Sequence, residues 1–111
     1  MRKGYRAEYL CKKQLIAEYG EENVLKIAIG GATDFLVLAP GKNTVLKIVE
    51  VKQTKKNKWY PSRHDLDQMK RLEKLHEEHK IPVEYWIRLK GKWHIIPIEK
   101  LKSSPIVATT V

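Results

Sequence analysis

Residues 30–55 read GGATDFLVLAPGKNTVLKIVEVKQTK, and two apolar runs in this stretch are separated by Pro40-Gly41-Lys42-Asn43. Apolar runs on either side of a turn composition predict two strands joined as a hairpin. Asp34 begins the first strand, and Glu50 and Lys52 lie near the end of the second. Because side chains alternate along a strand, Glu50 and Lys52 share one of its faces. The stretch therefore places an acid in one apolar strand and an opposite-charge pair in the next.

The register of this hairpin decides whether the two acids meet. In a four-residue loop, Pro40–Asn43, Asp34 pairs with Val49 and the two acids lie on opposite faces. In a five-residue loop, Pro40–Thr44, Asp34 lies directly opposite Glu50. A slip of one residue moves every side chain to the other face. The sequence leaves both registers open.

A pair of carboxylates beside a lysine suits phosphodiester chemistry. Two carboxylates a few ångströms apart repel each other, and a hard cation such as Mg²⁺ relieves this repulsion through oxygen ligands. Such a metal activates water, and an ammonium group neutralises transition-state charge. We therefore expect metal-assisted cleavage that uses Asp34, Glu50 and Lys52. The alternative is an exposed Glu-x-Lys pair on a solvated sheet face and an Asp that serves only a turn.

The sequence before the hairpin predicts one helix and one strand. Apolar residues recur at helical spacing from about Gly4 to Tyr19, and Gly20 is typical of a helix end. The run "NVLKIAI" then predicts a strand. The single cysteine, Cys11, excludes an internal disulfide, and its position in the helix indicates a packing role.

The sequence after the hairpin predicts a second helix and a second hairpin. Ser62 and Asp65 form the capping-box pattern that opens the helix. Lys90-Gly91-Lys92 separates the strands "VEYWIRL" and "WHIIPI". The predicted order is α-β-β-β-α-β-β, in a single domain over residues 1–101 followed by a mobile C-terminal tail over residues 102–111. The apolar stripe of the second helix consists of Leu66, Met69, Leu72 and Leu75.

The charge of the chain restricts its partners. Lys and Arg number 22 against 13 Asp and Glu, which gives a net charge of +9 over 111 residues. Such a chain attracts phosphate polymers or anionic membranes. No apolar run reaches the roughly 18 residues of a membrane span, and "MRKGYRAEYL" is no signal sequence. We expect a soluble, cytoplasmic protein associated with the nucleoid.

Two basic groups are candidate DNA contacts. The loop after the hairpin carries cations without any acid, and Trp59-Tyr60 within it either stack on bases or anchor the loop. The alternative for such a run is a solvated surface loop. The candidates in the loop are Lys55, Lys56, Lys58 and Arg63, and those near the N-terminus are Arg2, Lys3 and Arg6.

These motifs together resemble a known nuclease family. Asp34 followed by Glu50-Val51-Lys52 is similar to the PD-(D/E)xK nuclease signature, with Thr33 in the place of proline. The segments "RKGYRAEYL", "VEVKQTKKNKWYPSRHDLDQM" and "IPVEYWIRLKGKWHIIPI" resemble the archaeal Holliday junction resolvases over residues 2–101. The resemblance implies a restriction-endonuclease-like α/β fold, with a central mixed sheet flanked by helices.

The resemblance also implies roles for particular residues. Glu8 matches the helical acid that completes the family's active site. Asp34 and Glu50 match its metal-binding carboxylates, and Lys52 matches its catalytic lysine. The Val51 backbone carbonyl is a further implied metal ligand. The implied cofactor is Mg²⁺, for which Mn²⁺ can substitute.

The implied partner is branched DNA, above all a four-way junction, bound by a homodimer that holds two active sites at a fixed separation.

Lys26 stands where we expect the family's Arg, and Tyr9 where we expect a basic residue. From its position alone, Glu8 is a residue at the rim of the apolar stripe that reaches water or a lysine. Related families place a glutamine on the second helix, as with Gln68, for which packing or solvent exposure is the alternative.

The sequence is also consistent with two other functions. The first is a PD-(D/E)xK nuclease of the virus-type replication-repair kind, acting on flaps or other branched DNA. The second is a DNA-binding module that has lost catalysis. The presence of Asp34, Glu50 and Lys52 argues against the second, because a binding surface gains nothing from acids that face phosphate.

Overall fold

The structure is a computed structural model that describes residues 5–29, 32–101 and 106–107. Its two helices are α1 (Tyr5–Tyr19) and α2 (Arg63–His79). Short 3₁₀ turns occupy Glu21–Asn23 and Ile98–Lys100. No helix in the described ranges is long and apolar enough to cross a membrane. The strands are β1 (Val24–Ile29), β2 (Ala32–Leu38), β3 (Val45–Thr54), β4 (Lys58–Trp59), β5 (Val83–Leu89), β6 (Lys92–Pro97) and β7 (Ile106–Val107).

A five-stranded mixed sheet forms the centre of the fold, in the order β1-β2-β3-β5-β6. β3 and β5 are parallel, and the other neighbours are antiparallel. Parallel neighbours need a crossover connection, and this one contains α2. The predicted α/β class and the predicted order of the main elements are therefore confirmed.

Two short strands were not predicted from the sequence. β4 and β7 pair with each other, with Lys58 opposite Val107 and Trp59 opposite Ile106. A strand of two residues has no measurable periodicity, so the sequence predicts only a basic loop where β4 lies and a C-terminal tail where β7 lies. Residues 102–105 and 108–111 of that tail lie outside the described residues.

The sheet separates two apolar clusters, one under each helix. We call the side covered by α1 the α1 face and the other the α2 face. Because strand residues alternate, Val49 belongs to the α1 face and Ile48 to the α2 face. The α1 cluster consists of Cys11, Leu15, Val24, Phe35, Val37, Val49 and Trp86. The α2 cluster consists of Ile48, Trp59, Met69, Leu72, Val83, Tyr85, Ile87, Leu89, Ile98 and Leu101.

Local sequence accounts for the ends of both helices. The Ser62 side chain accepts a hydrogen bond from the Asp65 N–H, and Asp65 accepts one from the Ser62 N–H, so the predicted capping box is present. α1 ends before Gly20, which has φ of 95° and donates its N–H to Ile16. Within α1, burial raises the pKa of Cys11 to about 12, so its thiol packs and stays unreactive.

The β2–β3 hairpin resolves the register in a way that neither predicted loop anticipated. The Ala39 N–H donates to the Thr44 carbonyl at 3.0 Å, so the loop is the four-residue Pro40–Asn43. Partners then shift by one residue between Leu38 and Val37, as a β-bulge causes, and Leu46 is left out of the pairing. Beyond this bulge the register places Asp34 directly opposite Glu50. The bulge thus produces the alignment that the five-residue loop had predicted.

Candidate active site

Glu50 lies in the middle of the sheet, on the α2 face. Its side chain is 1% exposed, and β2 and β5 flank it with Asp34 and Tyr85 as its register partners. Glu50 Oε2 lies 3.0 Å from Lys52 Nζ, whereas the buried Oε1 has no hydrogen-bond partner among the described residues. Burial raises the pKa of Glu50 to about 7, against the opposing effects of Lys52 and Gln68. Lys52 therefore stabilises only one of the two carboxylate oxygens, and burial outweighs its effect.

Lys52 connects the sheet to α2 through three side-chain contacts. Besides Glu50, its ammonium group lies 2.8 Å from Asp65 Oδ1 and 3.0 Å from Gln68 Oε1. These three contacts use the three N–H donors of a lysine. Burial disfavours the charged form, but the facing carboxylates outweigh it and raise the pKa of Lys52. The ammonium group therefore stays charged and is held in one position.

Asp65 is a site residue that sequence reasoning missed, because its capping role explained its presence. Oδ2 accepts the Ser62 N–H at 2.8 Å while Oδ1 contacts Lys52. Burial would raise the pKa of Asp65, yet Lys52 and the Ser62 N–H hold it below its ordinary value. The sequence feature that could have indicated this role is the capping carboxylate itself, because its second oxygen can bind another side chain. The start of α2 is thereby tied to the lysine.

Gln68 is 1% exposed and belongs to the same group of side chains. Its Oε1 accepts a hydrogen bond from Lys52, and its side chain also hydrogen-bonds Glu50. Packing or solvent exposure, the alternative role considered for Gln68 from the sequence, therefore does not account for these contacts. A glutamine three residues after Asp65 lies on the same side of a helix, which explains why both reach one lysine.

Glu8 lies in the first turn of α1, over the opposite face of the sheet. Its Oε1 is 3.5 Å from Lys26 Nζ, an ion pair that lacks hydrogen-bond geometry, and this oxygen is buried without a hydrogen-bond partner in the described ranges. The residue before Glu8 on α1 contacts the central strand: the Ala7 N–H donates to Gln53 Oε1 at 3.2 Å. The start of α1 is thus anchored just beyond Lys52 on β3.

The end of the β2–β3 pairing marks the position between these two groups. The described β2–β3 register ends at Asp34–Glu50, whereas the β3–β5 register continues to Thr54–Leu89. Val51 is the first residue of β3 past that end, so its backbone lies where β2 and β3 separate. The Asp34 side chain lies outside the described part of the structure.

The oxygen atoms available here are of the type that Mg²⁺ binds. Across residues 5–29, 32–101 and 106–107, no three histidine, cysteine, aspartate or glutamate side chains group closely enough to hold a metal ion. Glu8 and Glu50 nevertheless each carry a buried carboxylate oxygen that accepts no hydrogen bond from the described residues. Hard cations prefer carboxylate and carbonyl oxygens, so each of these two oxygens is of a type that such an ion binds.

The candidate DNA contacts surround this site on exposed positions. Arg6 and Lys26 are exposed near α1, while Arg2 and Lys3 lie outside the described residues. The structure separates the two aromatic residues of the loop: Trp59 is buried against Tyr85, with ring centroids 6.3 Å apart, and Tyr60 is 60% exposed. Trp59 therefore anchors the loop. The exposed cations of the loop are Lys55, Lys56, Lys58 and Arg63.

The fold defines the class to which these features belong: an α/β fold with a mixed five-stranded sheet and a helix on each face, shared with a solved structure. A solved structure with this fold is the Holliday junction resolvase Hjc of Archaeoglobus fulgidus, an archaeal hyperthermophile. The chain is similar to it with a TM-score of 0.58 and 20% identity, over 96% of this chain and 84% of that one. Neither a protein-family model nor a curated protein sequence matches the chain.

Proposed function

We propose that this protein is a metal-dependent, structure-selective DNA endonuclease that resolves four-way junctions by paired, symmetric nicks. The observation that carries the proposal is the buried group formed by Glu50, Lys52, Asp65 and Gln68 at the end of the β2–β3 pairing. Burying a carboxylate with an unpartnered oxygen is costly. Such a cost is expected at a catalytic site rather than in a surface ion pair. The nuclease fold supports the same function.

Glu8, Asp34, Glu50 and the Val51 carbonyl would hold the metal ion in this proposal. When bound, Mg²⁺ supplies activation of water and stabilisation of the charge that develops on the scissile phosphate. Mn²⁺ is expected to substitute for it. The two buried oxygens of Glu8 and Glu50 support this assignment, since neither accepts a hydrogen bond from the described residues.

In this proposal, the ammonium group of Lys52 places a positive charge next to the reacting phosphate. Its pKa is raised, so it remains an ammonium group at neutral pH. Because its three donors are occupied by Glu50, Asp65 and Gln68, a phosphate oxygen must replace one of them. Gln68 is the neutral partner, and its exchange for a phosphate leaves both carboxylates on the lysine. Asp65 would then keep the ammonium group in place during the reaction.

The DNA backbone follows the exposed cations on both sides of the site. Lys55, Lys56, Lys58 and Arg63 contact phosphates beyond α2, and Tyr60 stacks on a base exposed at the branch point. Arg6 and Lys26 contact the backbone on the α1 side, and Arg2 and Lys3, which lie outside the described residues, are two further DNA contacts in this proposal. These contacts set affinity and orientation, because phosphates carry no sequence information.

Junction selectivity requires two active sites at a fixed separation, so we infer a homodimer. The name of the similar solved structure, a Holliday junction resolvase, supports this choice of substrate. A substrate of this kind also implies a cytoplasmic protein associated with the nucleoid.

A cleavage assay tests the proposal directly. Wild-type protein is incubated with labelled four-way junction, flap and linear duplex, with Mg²⁺ or with a chelator. Paired symmetric nicks on the junction, absent with the chelator, are the expected result. Cleavage of flaps in preference to junctions would instead indicate the replication-repair kind of nuclease. Tight binding without any metal-dependent product would indicate a DNA-binding module that has lost catalysis.

A further inference from the structure

A shallow pocket on the α1 face contains Lys12, a cation that is not among the DNA contacts predicted from the sequence. Its lining consists of Glu8, Tyr9, Lys12, Lys26 and Phe35. Glu8 and Lys12 are four residues apart on α1 and therefore lie on the same side of that helix. Lys26 is the register partner of Phe35, so β1 and β2 present both residues to the helix. The pocket thus lies between α1 and the β1–β2 pair.

The charges around this pocket favour an anion. Two lysines face it against a single carboxylate. Lys26 lies 3.5 Å from Glu8 and offsets its charge, although the Lys26 side chain remains 58% exposed. Lys12 forms no hydrogen bond or ion pair with any other described side chain. One positive charge in the pocket is therefore left without a partner in the part of the chain that the structure describes.

The remaining lining residues limit the kind of anion. Phe35 is buried at the base and Tyr9 is half-exposed at the side, so apolar surface lies next to the two ammonium groups. A phosphodiester, which joins a charged phosphate to apolar sugar carbons, matches this arrangement better than a free carboxylate or a small inorganic ion. Glu8, which also lines the pocket, is a residue that the proposed function places in the active site.

We propose that Lys12 and Lys26 form a binding site for a DNA backbone phosphate next to the phosphate that is cleaved. This inference rests on the proposed function, because it assumes that DNA reaches the α1 side of the site. Lys12 therefore contributes to binding and to the position of the strand, and takes no part in the bond-breaking step.

The neighbouring lysine provides a matched control. Lys13 lies on the same helix but its Nζ is 5.5 Å from the Tyr9 ring centroid, outside the pocket. Lys12→Gln and Lys13→Gln each remove one charge from an exposed position, so both should fold, and thermal unfolding checks this. Affinity for a four-way junction is measured for both variants over a series of salt concentrations, with a chelator to prevent cleavage.

Loss of one phosphate contact reduces the slope of log affinity against log salt by about 0.9. We expect this reduction for Lys12→Gln, with roughly three- to tenfold weaker binding at low salt, an unchanged slope for Lys13→Gln, and recovery in Lys12→Arg. Equal effects of the two glutamine variants would overturn the phosphate site. If the wild type binds but does not cut, the proposed catalysis fails while this comparison still decides on Lys12. If the wild type does not bind DNA, both proposals fail.

Discussion

The ammonium group of Lys52 and the carboxylate of Asp65 are 2.8 Å apart, although the two residues are 13 positions apart in the sequence. The same carboxylate caps α2 through Ser62, so one side chain both begins the helix and orients the lysine of the β3 motif. The placement of the lysine is thereby coupled to the placement of α2. This coupling can be tested separately from helix stability.

Asp65→Asn should slow junction cleavage by at least tenfold without weakening DNA binding, since an amide oxygen cannot serve both Ser62 and the charged Lys52 as the carboxylate does. Ser62→Ala is the control, because it removes the cap hydrogen bond and costs about 1 kcal/mol of unfolding free energy. The measurements are single-turnover cleavage and thermal unfolding. Equal losses of cleavage in the two variants would show that Asp65 acts only through the helix.

Asp34→Asn should abolish metal-dependent cleavage and leave junction affinity equal or higher, because it removes a proposed metal ligand and one negative charge near the phosphates. Cleavage and binding are measured on the same labelled junction. A parallel loss of binding would contradict the assignment of Asp34 as a metal ligand.

Charge reversal of Lys55 and Lys56 to Glu should weaken binding to all DNA forms alike and flatten its salt dependence, since these exposed residues contact only phosphates. Lys42→Glu is the control: it changes one exposed lysine in the β2–β3 loop, at the other end of the hairpin from Glu50. Binding is titrated against salt for junction and linear duplex. A salt slope that matches the control would move the DNA path away from this loop.

Tyr60→Ala should weaken binding to branched DNA more than binding to duplex, by roughly fivefold or more, because stacking on an unpaired base contributes about 1–3 kcal/mol. Its unfolding temperature should not change, since the side chain is 60% exposed. Tyr60→Phe retains the ring and should behave as the wild type. Trp59→Ala, in contrast, should cost about 3–5 kcal/mol of stability, because that ring is buried. Equal weakening on duplex and junction would exclude base stacking.

The titration of Glu50 should appear in stability measured without metal. Its folded-state pKa of about 7 lies above the ordinary value of 4.5, so the folded protein binds more protons than the unfolded chain between these pH values. Stability should therefore fall as pH rises from 4.5 to 7. Asp65 has the opposite effect: its lowered pKa stabilises the fold above its ordinary value of 3.8, and this is lost on acidification.

Glu50→Gln isolates the first effect, because the neutral amide does not titrate. Its stability relative to the wild type should increase by on the order of 1–3 kcal/mol between pH 4.5 and pH 7. Denaturant unfolding at a series of pH values, in the presence of a chelator, measures this difference. A difference that does not change with pH would mean that Glu50 is charged throughout.

The sequence by itself determined the elements and their order. Strand alternation placed Glu50 and Lys52 on one face, the capping box placed the start of α2 at Ser62, and turn residues placed both hairpins. These are local properties, since each depends on a few neighbouring residues. Two-residue strands such as β4 have too little pattern to be read in this way.

The tertiary structure alone decided which of these residues meet. The alignment of Asp34 with Glu50 depends on a bulge at Leu46, and that alignment could not be read from loop length because the loop itself has the other register. The contacts of Lys52 with Asp65 and Gln68 arise only when α2 crosses over β3 and β5. The physical reason is the same in both cases: side chains distant in sequence are brought together by the packing of the whole sheet, whereas sequence patterns report only local backbone preference.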